Sequence, residues 1–334
     1  MTCNDTLVFP EPGTVTLEDR DVPDPGPGEV LVETRRSLVS TGTELTLLSG
    51  DYPADSVWST HGDYPLVSGY SNVGAVVEVG ADVEAVSPGD LLASRTPHAA
   101  YVVADADETV PVPDGVTAEE AAFCSLAAIA MNGVRHAEVT WGEAVAVYGL
   151  GLVGQLAARF SHVAGARPVV GVDLAPERVG HLPDAPRVLG VDGRADDPVE
   201  RVAAATRGRM ADVVFECTGS PDAIPDQFDA LGEMGRLVVL SSPRGETSLD
   251  LHDVCNAPSN RIVGAHDYAH PPVETPATPW TRWRHYELFF DLLDEGSVDV
   301  APLVSHRVPA AEAPATYRRL LADRSDAMGV VIEW

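Results

Sequence analysis

The chain has 334 residues, of which 45% are apolar, and its 51 acidic residues against 22 basic ones give a net charge of −29. A chain of this length is expected to form two domains, and so negative a charge excludes nucleic acid and anionic membranes as favourable partners. Every basic residue is arginine, and the acids are scattered along the chain. This composition indicates a solvated acidic surface of the halophilic kind.

The cysteines and the apolar runs indicate the cellular compartment in which the protein is expected to occur. The first residues lack the basic and then apolar character of a signal peptide, and no apolar run approaches the roughly 20 residues that span a bilayer. Cys3, Cys124, Cys217 and Cys255 are far apart and form no CxxC pair. We therefore expect reduced thiols in a cytoplasmic protein rather than disulfides or a zinc knuckle.

Residues 1–125 are predicted to be rich in β-strands. Short and largely alternating apolar runs, within residues 28–40 and 72–94, are separated by Gly, Pro and Asp. At Thr117 the pattern changes, because Glu120 follows three residues later and completes a capping box. This signature predicts one long alanine-rich helix over residues 117–139.

From Trp141 onward, predicted strands and helices alternate. The strands are expected within residues 144–151, 167–174, 211–219, 235–242 and 260–266, and the helices within 152–165 and 199–208. Such alternation predicts an α/β domain with a doubly wound parallel sheet. Beyond an irregular stretch after Ala265, helices are expected within residues 284–296 and 311–323, and strands within 303–308 and 328–334.

A glycine-rich turn begins the α/β half. Its GxGxxG pattern consists of Gly149, Leu150, Gly151, Leu152, Val153 and Gly154. An apolar strand precedes the pattern and an amphipathic helix follows it, which is the context of a dinucleotide-binding turn. Gly149 allows the turn, Gly151 lets a pyrophosphate approach the backbone, and Gly154 lets helix and strand pack closely. The helix N-terminus supplies N–H groups to the phosphates.

The next predicted strand ends in an acidic residue. Asp173 follows Gly154 by nineteen positions, where a carboxylate accepts hydrogen bonds from the adenosine ribose. Its charge would repel a 2′-phosphate, so NAD is favoured over NADP. Arg178, five residues on, could soften that preference, and NADP stays possible.

The whole chain resembles the medium-chain dehydrogenase/reductase superfamily. The resemblance rests on this cofactor turn together with VPDPGPGEVLVE (22–33), STGTELTLLSG (40–50), VGAVVEVGADVEAVSPGDLL (73–92) and ECTG (216–219). STGTE followed by YPLVSGYSNVG is similar to a zinc-less branch that includes bacteriochlorophyllide a dehydrogenase. The branch motifs do not specify a substrate.

The resemblance implies a GroES-like β-rich domain, residues 1–125 and 280–334, and a Rossmann domain, residues 126–279. It also implies cofactor contacts at Cys217, Thr218, Gly219, Ser241, Ser242 and Pro243. The family implies a homodimer or homotetramer, and a substrate cleft where the two domains meet. The expected partners are a small alcohol or carbonyl substrate and further copies of this chain, with no nucleic acid and no membrane.

The zinc ligands of the superfamily are missing from this sequence. Thr41 stands in place of the first cysteine, and Gly69-Tyr70-Ser71 in place of Gly-His-Glu; near the third ligand only Cys124 remains. One thiol cannot assemble a site that needs three N, O⁻ or S⁻ ligands. The four-cysteine structural-zinc lobe is absent as well. We therefore expect neither catalytic nor structural zinc.

Hydroxyl groups are the candidates to replace the metal. Tyr70 occupies the lost histidine's place, Thr43 matches the family's Ser/Thr that touches the substrate hydroxyl, and Glu44 could orient either group. With no lysine to lower its pKa, Tyr70 is expected to be protonated, which suits it to carbonyl reduction. His61, in a loop that borders the family's substrate cleft, is a further candidate proton carrier.

Other interpretations stay open at this point. His266 and His270 border the same cleft in the family and could carry a proton or bind a metal, although flanking prolines argue against a helical i, i+4 metal site. The protein could instead reduce quinones or enones with NADPH, but Asp173 and GLGLVG count against that chemistry. It could also bind a nucleotide without catalysis.

Overall fold

The computed structural model describes residues 3–334. Its β-strands are β1 (Asn4–Glu11), β2 (Thr14–Arg20), β3 (Glu29–Val39), β4 (Leu66–Val67), β5 (Asn72–Val79), β6 (Leu91–Ser94), β7 (Tyr101–Asp105), β8 (Thr109–Pro111), β9 (Val145–Tyr148), β10 (Val169–Asp173), β11 (Val188–Asp192), β12 (Ala211–Glu216), β13 (Leu231–Val239), β14 (Arg261–Gly264), β15 (Val304–Pro309) and β16 (Gly329–Glu333). Its α-helices are α1 (Thr43–Ser49), α2 (Ala118–Ala121), α3 (Cys124–His136), α4 (Leu152–Val163), α5 (Pro176–Val179), α6 (Pro198–Thr206), α7 (Ile224–Gln227), α8 (Arg282–Asp294) and α9 (Ala313–Ala322).

The chain divides into two compact units. The β-rich unit contains the chain up to Leu126 together with Arg282–Trp334, and the α/β unit contains Ala127–Thr281. Among residues 3–334, no helix is both long enough and apolar enough to cross a bilayer.

Two sheets form the β-rich unit. A three-stranded antiparallel sheet has the order β2-β1-β4, and a seven-stranded sheet has the order β15-β16-β3-β5-β6-β8, with β7 paired to β3. In the larger sheet only β15 and β16 run parallel. The core includes Phe9 and Tyr317, whose rings meet edge to face with centroids 5.5 Å apart. The C-terminal helix α9 is thus packed into the same core as the first strand.

The α/β unit contains one six-stranded parallel sheet. Its strand order is β11-β10-β9-β12-β13-β14, and every neighbouring pair is parallel. Numbered within the unit, this order is 3-2-1-4-5-6, the doubly wound Rossmann arrangement, so the predicted parallel sheet is confirmed. In such sheets ligands bind beyond the carboxyl ends of the strands where the order reverses, here between β9 and β12.

The region after Thr117 differs from its sequence prediction in one respect. The capping box is confirmed, because Thr117 and Glu120 exchange both hydrogen bonds at the start of α2. The single long helix predicted over residues 117–139 is wrong: α2 ends at Ala121 and α3 begins at Cys124. The Ser71 hydroxyl donates to the carbonyl oxygen of Ala122 at 2.6 Å, which satisfies that acceptor from outside the helix.

Candidate active site

The glycine turn after β9 has the geometry of a dinucleotide cradle. Gly149 has φ +88°, and a Cβ there would lie 2.7 Å from the backbone of Cys217. A Cβ on Gly154 would lie 1.8 Å from the carbonyl oxygen of Gly149, whereas a Cβ on Gly151 would meet no heavy atom within 4 Å. The first and third glycines are therefore required by packing, and the second leaves the backbone open to a pyrophosphate.

Helix α4 begins directly after this turn. Gly151 is its N-cap and makes no side-chain capping bond, so no side chain covers the first-turn N–H groups. The N–H groups of Leu152 and Val153 belong to that turn and are the groups that would bind the phosphates. Leu150 is fully buried and contributes through its backbone.

Asp173 is held rigidly at the end of β10. Its Oδ2 accepts the Leu150 N–H at 2.7 Å and its Oδ1 accepts the Ala175 N–H at 2.8 Å. The Arg178 guanidinium lies 4.0 Å from Oδ2. Because a carboxylate oxygen has two lone pairs, both oxygens keep an acceptor site for ribose hydroxyls. The acidic residue thus links the glycine turn to the end of β10.

A carboxylate that sequence reasoning did not single out joins the remaining cofactor loops. Glu216 ends β12 and is fully buried; its Oε1 accepts from the Thr218 N–H, the Thr218 hydroxyl and the Gly219 N–H at 2.7, 2.5 and 3.1 Å. Its Oε2 accepts from the Ser241 hydroxyl. The signal that would have found it is a carboxylate directly after the buried apolar run of residues 213–215.

The predicted cofactor contacts near Glu216 differ in whether their polar groups are free to bind a ligand. Burial and the charge of Glu216 raise the pKa of the Cys217 thiol well above its ordinary value, so this thiol is neutral. Ser241 gives both its hydroxyl and its N–H to Glu216, the latter to the carbonyl oxygen at 3.0 Å. Ser242 is exposed and Pro243 is half-buried. These two residues therefore remain the candidates for direct contact after β13.

In the β-rich unit, three hydroxyl side chains converge. The Tyr70 hydroxyl donates to Ser40 Oγ at 2.6 Å and lies 3.4 Å from Thr43 Oγ1. Ser40 follows β3 and Thr43 begins α1. The Arg95 guanidinium carbon lies 5.1 Å from the centre of the Tyr70 ring, a cation–π contact. Burial raises the pKa of Tyr70, so its phenol is protonated and acts as a donor.

Glu44 is the centre of a buried network beside this cluster. Its Oε1 accepts the Ser40 N–H at 2.7 Å, and its Oε2 accepts from the hydroxyls of Ser68 and Tyr317 and contacts His98 Nε2 at 3.1 Å. Burial opposes ionisation, but His98, with the Tyr317 and Ser40 hydrogen bonds, holds the pKa of Glu44 below its ordinary value. Neither carboxylate oxygen accepts from Tyr70 or Thr43, so Glu44 reaches Tyr70 only through Ser40.

Known proteins resemble this chain in sequence and in fold. The family profile described as "Zinc-binding dehydrogenase" matches residues 153–280. Sorbitol dehydrogenase from Ovis aries is 25% identical over 347 residues, 93% of this chain and 91% of that protein. D-guloside 3-dehydrogenase from Escherichia coli (strain K12) is 29% identical over 270 residues, 77% of this chain and 75% of that protein. The structure of an NADP-bound dehydrogenase from Sinorhizobium meliloti 1021 matches with a TM-score of 0.84 at 21% identity, covering 100% of both chains.

These matches in sequence and in fold support a relationship of this chain to the medium-chain dehydrogenase/reductase superfamily. The predicted fold class, a GroES-like domain with a Rossmann domain, is confirmed by the fold match together with the strand order. The protein is an NAD(P)-dependent oxidoreductase of the alcohol dehydrogenase type.

Zinc is the metal that this superfamily implies, and the donor set here does not fit it. Thr41 and Tyr70 offer neutral hydroxyls at two of the ligand positions, and zinc takes imidazole nitrogen, thiolate or carboxylate. Cys124 lies near the third position, and burial raises the pKa of its thiol to about 12. Within residues 3–334, no three His, Cys, Asp or Glu side chains are grouped to hold a metal ion.

The three histidines that the resemblance suggested as proton carriers, His61, His266 and His270, lie in different environments. His61 ends a short 3₁₀ helix, Val57–His61, and is exposed. His266 accepts the Tyr268 N–H at 3.2 Å, while His270 is buried with its Nδ1 2.7 Å from the carbonyl oxygen of Asp267. Both of these rings make local hydrogen bonds, and the proton-carrier roles of His61, His266 and His270 stay predictions.

Proposed function

We propose that the protein is a zinc-independent, NAD-preferring dehydrogenase that interconverts an alcohol and a carbonyl compound of the polyol or sugar class. The sorbitol and D-guloside dehydrogenases among its relatives support the substrate class. The carboxylate of Asp173 supports the preference for NAD, because it favours ribose hydroxyls and repels a 2′-phosphate.

The nicotinamide, when bound, supplies the hydride in reduction and accepts it in oxidation. Gly149, Gly151 and Gly154 shape the turn that holds the pyrophosphate, and Asp173 holds the ribose. In the β-rich unit, Tyr70 and Thr43 bind the substrate oxygen with their hydroxyl groups, the task that a Lewis-acidic metal performs elsewhere.

Tyr70 is the proton donor in this proposal. Its hydroxyl proton moves to the carbonyl oxygen as that oxygen gains negative charge, and Thr43 keeps the oxygen oriented. Because burial raises the pKa of Tyr70, the phenol holds its proton at neutral pH, and reduction is the favoured direction there. Alcohol oxidation needs the phenolate and is expected to accelerate as the pH rises.

One observation carries the proposal: the Tyr70 hydroxyl lies within 2.6 Å of Ser40 Oγ and 3.4 Å of Thr43 Oγ1. Three hydroxyls thus converge in the part of the β-rich unit where the family's metal ligands are replaced.

The test replaces the phenol hydroxyl. We expect Tyr70→Phe to lower kcat for carbonyl reduction about 100-fold, the usual loss when one oxyanion donor is removed, with little change in KM. Tyr101→Phe is the matched control, because its hydroxyl donates to Glu33 at 3.1 Å on the same unit. Retention of wild-type kcat by Tyr70→Phe, or nucleotide binding with no turnover by the wild type, would refute the proposal.

A further inference from the structure

Glu216 connects two loops at the carboxyl edge of the parallel sheet. Its Oε1 bonds the turn after β12 through Thr218 and Gly219, and its Oε2 bonds the segment after β13 through Ser241. Its carbonyl oxygen also accepts the N–H groups of Leu240 and Ser241, at 3.1 and 3.0 Å. One side chain therefore sets the relative position of two loops predicted to contact the cofactor.

The charge of this carboxylate is satisfied by neutral donors. Glu216 is 0% exposed, and across residues 3–334 no basic side chain forms an ion pair with it. Two backbone N–H groups and the hydroxyls of Thr218 and Ser241 surround its two oxygens, a donor set that suits a carboxylate because that group only accepts. A buried charge without a counter-ion keeps most of its field, since little water is present to screen it.

Glu216 lies at the edge of the sheet where a nucleotide is expected to bind. Glu216 ends β12, the neighbour of β9, and nucleotides bind beyond this edge of a doubly wound sheet. The oxidised nicotinamide ring carries a positive charge and the reduced ring carries none. A buried negative charge at this edge therefore interacts differently with the two forms.

We propose that Glu216 is a positioning residue for the cofactor loops and that its buried charge shifts the balance of nucleotide binding towards the oxidised form. This inference rests on the proposed nucleotide site. It adds a residue that sets the balance between NAD⁺ and NADH on the protein.

The experiment measures both affinities on the full-length protein by calorimetry for NAD⁺ and by fluorescence for NADH. Glu216→Gln keeps the size of the side chain and removes the charge; we expect NAD⁺ binding to weaken about tenfold and NADH binding about twofold, so that their ratio shifts about fivefold. Glu233→Gln is the matched control, because it removes the same charge from an exposed position on β13. It should leave the ratio unchanged.

A second variant tests the sign of the effect without removing the charge. Ser241→Ala deletes one hydrogen-bond donor to Glu216, so less of its negative charge is offset by a hydroxyl dipole. The ratio of NAD⁺ affinity to NADH affinity should therefore move further towards NAD⁺. In protein without nucleotide, Glu216→Gln should also speed hydrogen exchange of the Thr218 and Gly219 amides, because a neutral amide oxygen accepts more weakly than a carboxylate oxygen.

The outcomes separate this inference from the proposed function. If Glu216→Gln weakens the binding of NAD⁺ and NADH by the same factor, or changes neither affinity, the inference is overturned while the proposed nucleotide site stands. If Glu216→Gln does not fold, a ratio in Ser241→Ala that shifts towards NADH or stays at the wild-type value would overturn it. Wild-type protein that binds neither nucleotide would overturn the proposed function together with this inference.

Discussion

Replacing Glu44 by glutamine should destabilise the β-rich unit strongly. The glutamine has nearly the same shape, but only one of its two terminal atoms accepts hydrogen bonds. Four donor groups surround the carboxylate, from Ser40, Ser68, His98 and Tyr317. Whichever way the amide turns, its N–H₂ group faces at least one donor, so at least one buried donor loses its partner.

The size of the effect follows from these contacts. Orphaning one buried donor costs about 1–3 kcal/mol, and the surviving bonds weaken because their acceptor is no longer charged. We expect a loss of about 3 kcal/mol in the free energy of unfolding, the low end for breaking a buried ionic network. With about 2.1 cal/mol/K of unfolding entropy per residue, that loss lowers the Tm of a 334-residue chain by roughly 4 °C.

Thermal and urea unfolding of both proteins measure this difference. Glu33→Gln is the matched control; Glu33 pairs with Arg35 on an exposed face, and its loss should cost less than about 1 kcal/mol. Because the folded-state pKa of Glu44 lies below its ordinary 4.5, its contribution is complete above that pH and disappears as the pH falls through the folded-state pKa. A Glu44→Gln protein as stable as the control at pH 7, or a difference that grows in acid, would refute this reasoning.

Three other perturbations have definite expected outcomes. Asp173→Ala should narrow the preference for NAD(H) over NADP(H) in binding titrations; a wider preference would contradict the role of its charge. Metal analysis of purified protein should find no stoichiometric zinc, and chelators should leave activity intact, because Thr41, Tyr70 and the neutral Cys124 are not zinc ligands; one tightly bound zinc per chain would contradict this. With a net charge of −29, raising KCl from about 0.1 M to about 1 M should raise Tm, because the screening length falls from about 10 Å to about 3 Å; a Tm that stays constant or falls would contradict this reasoning.

The nucleotide unit was predictable because its signals are local. Gly149 and Gly154 are required by close packing within one strand-turn-helix unit. The alternation of apolar strands with amphipathic helices predicts the parallel sheet. The strand β11 was missed, since Leu189 and Gly190 lie exposed on an edge strand and do not produce an apolar run.

Long-range contacts account for what sequence patterns did not predict. The helix after Thr117 is interrupted where Ser71, more than fifty positions earlier, donates to Ala122. The Tyr70 hydroxyl meets Ser40 across thirty positions. The sequence motif ECTG contains Glu216 but does not indicate its hydrogen bond to Ser241, because Ser241 lies on another loop. None of these pairings has a periodicity or spacing that a single sequence displays.

The hydrogen bond from the Leu150 N–H to Asp173 matters to anyone who redesigns the coenzyme preference. A substitution that makes room for an extra phosphate also withdraws the acceptor that pins the glycine turn to β10, together with the acceptor for the Ala175 N–H. Coenzyme switching in this scaffold is therefore a two-part engineering problem. A workable variant must keep a neutral acceptor for the Leu150 N–H, as the amide oxygen of asparagine could, before any arginine is added to bind the phosphate.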